Sequence, residues 1–170
     1  MIFKCLGAAL VVGGCAAVGF AMAAAHRGEE RSLRQLLSAL DYMECELQYR
    51  LTPLPDLCRM TAQQCSKPLK QVLHTLSQEL ESQISPDVDS CMRSALARSA
   101  PLPELTRKHL LHLGRTMGRF DLEGQLQGLD GVRESGRNDL KTMNRDAEVR
   151  LRGYRTLGIC AGVARAILLL

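Results

Sequence analysis

Between two apolar ends, apolar residues recur along the chain at steps of three and four. That is the spacing of one buried face of an α-helix. The first such stripe is Leu33, Leu36, Leu37, Leu40, Met43 and Leu47, which predicts a helix over about 29–50, running straight on from the apolar segment before it. Thr52-Pro53-Leu54-Pro55 ends it. Thr52 is expected as the N-cap and Pro53 as the first residue of a second helix, which carries Leu54, Leu57, Cys58 and Thr61 to about Cys65. Ser66-Lys67-Pro68 breaks that helix, and Leu69, Val72, Leu73, Leu76 and Leu80 mark a third. After Ser85-Pro86-Asp87 a weaker fourth helix holds Val88, Cys91, Met92, Ala95 and Leu96.

Pro101-Leu102-Pro103 is the next break, and a fifth helix is expected over about 103–118, with Leu110, Leu111, Leu113 and Met117. Gly114 and Gly118 flank Met117 and cost helix stability. Either they let a neighbouring helix come close or Gly118 ends the helix. Asp121 is expected to cap a long sixth helix. Its stripe is Leu122, Leu126, Leu129, Val132, Gly136, Leu140, Met143, Ala147, Leu151 and Tyr154, with a mean step of about 3.6, the helical period. About 35 residues without a breaker predict a rod longer than about 50 Å. No window alternates cleanly, and Val, Ile and aromatics are scarce. The expected fold is all-α: an antiparallel bundle of about six helices, with an N-terminal transmembrane helix and a C-terminal apolar helix.

Composition changes the picture through its distribution. The 170 residues are 46% hydrophobic and 24% charged, ordinary for a soluble domain, so collagen-like and disordered classes are excluded. Residues 1–25, however, hold 20 apolar residues, and 157–170 hold 11. The intervening 26–156 carries 38 of the 40 charged residues. The chain therefore divides into an apolar helix at 1–25, a polar helical bundle at 26–156 and an apolar segment at 157–170. Trp is absent, so the core of the bundle must be aliphatic.

Residues 5–25 contain no charge. As a helix they would cover about 31 Å, the thickness of a hydrocarbon core. The rival reading is a signal peptide, with Lys4 as its basic start and Ala21-Met22-Ala23 or Ala23-Ala24-Ala25 as its cleavage site, releasing a secreted helical binding module. Two features favour a retained anchor. The run exceeds a usual signal core of about 7–15 residues. Ala9, Gly13, Ala17 and Ala21 also form a small-residue stripe of the kind that lets a second membrane helix approach. Arg27, Arg31 and Arg34 follow the run, whereas only Lys4 precedes it, so the bundle is expected on the cytoplasmic side. Arg145, Arg150, Arg152 and Arg155 before the last apolar segment point the same way. That segment is 14 residues long and is interrupted by Arg165, so it is short for a second span.

The net charge of +4 is spread without basic blocks or interleaved aromatics, so nucleic acid is not an expected partner. The seven cysteines, Cys5, Cys15, Cys45, Cys58, Cys65, Cys91 and Cys160, contain no CxxC pair. Most fall on apolar helical positions, so they read as reduced, buried thiols in a reducing compartment rather than as disulfides or zinc ligands.

Catalytic chemistry is poorly supported. His109-x-x-His112 could put two imidazoles on one helix face for a metal-dependent hydrolase, but HExxH spacing and a third ligand are missing. Solvated helix histidines are the simpler account. Glu44 and Glu46 lie two apart and do not share a helix face. Asp121, Glu123 and Gln125 suit a helix start. No nucleophile elbow, phosphate loop or dinucleotide turn is present. No catalytic, cofactor-binding or metal-binding residue, and no cofactor, is assigned.

Several segments together are specific. They are LGAALVVGGCAAVGF at 6–20, LRQLLSALDYMECELQYRLTPLPDL at 33–57, LLHLGRTMGRFDLEGQL at 110–126 and RGYRTLGICAGVARAILLL at 152–170. The densest parts are LQYRLTPLP at 47–55 and LGRTMG at 113–118, the latter followed by Asp121 and Gln125. The chain resembles the stage III sporulation protein AB family of endospore-forming Firmicutes over nearly its whole length, most weakly over 66–104.

The resemblance implies a non-catalytic, membrane-anchored scaffold subunit in the mother-cell membrane around the forespore. It implies a place in the channel complex that links the two cells and supports forespore development. The family's soluble part is similar to the cytoplasmic domain of type II secretion and type IV pilus inner-membrane platform proteins. The partners implied are the membrane, other stage III sporulation channel proteins and a secretion-type ATPase; self-association into a homo-oligomer stays open. In the family the C-terminal helix resembles a second span, from which 157–170 departs in length and in carrying Arg165.

Overall fold

In a computed structural model of the chain, the backbone is described for residues 2–82, 87–117 and 122–169, and side chains for 24–82, 87–117 and 122–145. Six helices follow one another: α1 (Ile2–Arg50), α2 (Leu54–Gln64), α3 (Leu69–Ser82), α4 (Val88–Arg98), α5 (Glu104–Thr116) and α6 (Leu122–Leu169). Among the described residues there is no strand, as the missing alternation predicts. The expected stripes supply most of the observed core, but Leu122, expected to open the α6 stripe, is 39% exposed, and Leu111 of α5 is only half-buried. Leu33, Leu36, Leu37, Leu40, Met43 and Leu47 of α1 are all buried, as are Leu69, Val72, Leu73 and Leu76 of α3. Cys91, Met92 and Ala95 of α4 and Leu129, Val132 and Met143 of α6 join them. At about 2 kcal/mol for each fully buried leucine, this aliphatic cluster is the main favourable term of the fold.

Each helix packs on the next, and α6 returns to α5 and α1. Cross-helix pairs give the directions. Leu37 and Leu33 of α1 lie against Gly136, and Asp41 and Glu44 pair with Arg133, so α6 runs antiparallel to α1. On α5, Thr116 lies against Gly128 and His109 meets Asp139, so α6 is antiparallel to α5 as well. Beyond Met143, α6 therefore leaves the bundle at the end where α1 enters it.

Two glycines explain how closely the helices approach. A Cβ on Gly114 would stand 2.8 Å from Met92 Cβ, so only glycine lets α5 meet α4 there. Gly128 is similar, with Thr116 Cβ at 2.8 Å from its would-be Cβ, where α6 meets α5. Of the two readings of Gly114 and Gly118, close packing holds for Gly114; Gly118 lies outside the described residues, as does Asp121.

The start of α2 differs from expectation. Pro53 is extended (φ −56°, ψ 144°) and occupies the N-cap position, and its carbonyl accepts the first helical bond from Leu57 N at 2.9 Å. Pro55 instead sits in the first turn, where a missing N–H costs nothing. Thr52 does not cap; its hydroxyl donates to Glu46 Oε2 at 3.4 Å. At α4 the cap is Asp87, which accepts from Ser90 N at 2.8 Å. α5 starts on Pro103, which has no side chain able to cap. Its orphan Leu105 N–H donates to Glu29 Oε1 of α1 at 3.1 Å, a cap supplied from 76 residues away.

The expected membrane helix at 1–25 falls, apart from Ala24 and Ala25, outside the residues whose side chains are described, and the segment 157–170 does so entirely. Among the described residues, no helix is long and apolar enough to cross a membrane.

Candidate interaction surface

The last turn of α1 and the three-residue link to α2 form the most exposed apolar feature among the described residues. Tyr49 is 77% exposed and Leu51 65% exposed. Leu51 ends α1 with a φ of 52°. A left-handed residue at a helix C-terminus is normally glycine, because an L side chain there costs about 1–2 kcal/mol. A leucine held in that conformation, with its side chain in solvent, is strain that no packing within the bundle repays. Such outliers gather at functional sites.

The turn stands on a rigid base. Glu46, only 8% exposed, accepts from Thr52 and lies 3.6 Å from Arg50 Nη1. Tyr42, one turn earlier, has its phenol pKa raised, first by burial and then by the charge and hydrogen bond of Glu46. A buried carboxylate thus gathers three neighbours that fix the link. Beneath them, Met43 and Leu54 pack with Leu113, Gly114 and Met117 around a void of about 10 Å³. That is about the room of one water molecule, so no substrate enters the core here. Of the two segments singled out in the sequence, 47–55 and the described part of the second, 113–117, accordingly meet at one end of the bundle. The turn lies about 38 Å along α1 from Ala25, at the far end from the apolar segments.

The two histidines do not form a pair. His112 is exposed, whereas His109 is 2% exposed with Nε2 2.9 Å from Asp139 Oδ2. The expectation of two solvated histidines is corrected for His109, which ties α5 to α6. Its place on the buried stripe with Thr106, Leu110 and Leu113 was readable at helical spacing; its partner, 30 residues on, was not. Among the described residues, no three His, Cys, Asp or Glu side chains gather to hold a metal ion.

Glu44 and Glu46 face different surroundings, as their spacing predicts. Glu44 joins Asp41 and Asp130 around Arg133. Burial opposes the charge of Arg133, but Glu44, Asp130 and Asp41 outweigh it and raise the guanidinium pKa. Of the cysteines, Cys58, Cys65 and Cys91 are buried thiols, as expected. Burial pushes Cys58 up to about 12 and raises Cys65. Cys45 departs from expectation: it lies on the exposed face of α1, one residue outside the Glu44–Arg133 contact. Cys5, Cys15 and Cys160 lie outside the described side chains.

Comparison with known proteins agrees with the architecture. The family model described as "Stage III sporulation protein AB" matches residues 4–170. The stage III sporulation protein AB of Bacillus subtilis (strain 168) is 32% identical over 80 residues. That match spans 47% of this chain and 47% of the relative, about half the length of each. A solved structure of a stage III sporulation protein AB superposes with a TM-score of 0.63 at 21% identity, covering 72% of this chain and 98% of that one.

Proposed function

The chain belongs to the stage III sporulation protein AB family, and from that premise we propose that it is a non-catalytic scaffold of the channel complex between mother cell and forespore. Its role in stage III of sporulation follows from the family. In this reading residues 1–25 anchor it in the mother-cell membrane around the forespore, and the bundle at 26–156 stands in the mother-cell cytoplasm. The partners are other stage III sporulation channel proteins and a secretion-type ATPase.

The observation that carries the reading is the polarity of the bundle. α1 enters and α6 leaves at one end, toward the two apolar segments. The opposite end presents Tyr49 and the left-handed Leu51 on a braced turn. A scaffold needs one fixed end and one end that meets a partner, and exposed aromatic and aliphatic anchors on a rigid base are what partner surfaces use.

The test is co-purification of the full chain from sporulating membranes, with mass spectrometry of the bound proteins. The wild type should retain the channel proteins and the ATPase. Tyr49→Ser with Leu51→Gly should lose at least one of them while the unfolding temperature of the bundle does not fall, since neither side chain is buried and glycine relieves the left-handed position. Full retention by that variant refutes the assignment of the turn. A phosphatase fused after residue 60 should be inactive; high activity refutes the topology.

A further inference from the structure

We draw no further inference here: the strongest candidate, the outer face of α5 on which Arg107, Lys108, His112 and Arg115 stand exposed around the half-buried Leu111, is a patch of surface cations, and nothing in the structure shows what covers it.

Discussion

Gly114 and Gly131 offer the same substitution in opposite surroundings, and the pair tests whether helix approach limits this bundle. Replacing a helical glycine by alanine gains about 0.5–1 kcal/mol from backbone entropy. At Gly131 the new Cβ meets nothing within 4 Å, so Gly131→Ala should show that gain alone. At Gly114 the Cβ would lie 2.8 Å from Met92 Cβ and 3.5 Å from Asp89 Cα. Neither atom is the free end of a flexible side chain. Restoring an ordinary carbon–carbon separation of about 3.8 Å moves α4 and α5 apart by about 1 Å. Overpacking of that size costs about 1–3 kcal/mol. The propensity gain largely cancels between the two variants, so their difference isolates this cost. For a chain of this length it corresponds to about 3–9 °C in midpoint, with Gly131→Ala above the wild type and Gly114→Ala at or below it. The assay is thermal unfolding of the full chain followed by circular dichroism at 222 nm. If Gly114→Ala rises as far as Gly131→Ala, the contact with Met92 does not set the spacing of α4 and α5.

Three other outcomes follow from how deeply particular side chains are buried. Asp139→Ala leaves the Nε2 of an almost fully buried His109 without its partner, which should cost about 1–3 kcal/mol and lower the urea midpoint. Asp139→Asn, which can still hydrogen-bond, should recover most of the loss; equal stability of Asp139→Ala and wild type would show that the pair does not tie α5 to α6. Iodoacetamide at pH 8 followed by peptide mapping should modify Cys45 and spare Cys58 and Cys65 until the chain is unfolded. Because the Cys58 thiol is pushed up to about 12 from an ordinary value of 9.0, its contribution to stability is complete below pH 9. It is lost as the pH rises toward 12, since there the unfolded chain has released a proton that the folded chain keeps.

Local sequence carries the helices of this protein because an amphipathic helix writes its buried face at a spacing of three to four residues. The stripes from Leu33 to Leu47, from Leu69 to Leu76 and from Leu129 to Met143 needed nothing more, and proline placed the breaks between α1 and α2 and between α4 and α5. The close approach at Gly114 was half legible: a costly glycine inside a helix signals a reason, but only packing names Met92. The tertiary structure alone decided what depends on distant partners. Glu29 caps α5 across 76 residues, Asp139 claims His109 across 30, and Leu51 takes a left-handed conformation that its side chain gives no cause to expect. Periodicity reports which face of a helix is buried; it holds no term for what that face, or its open neighbour, will meet.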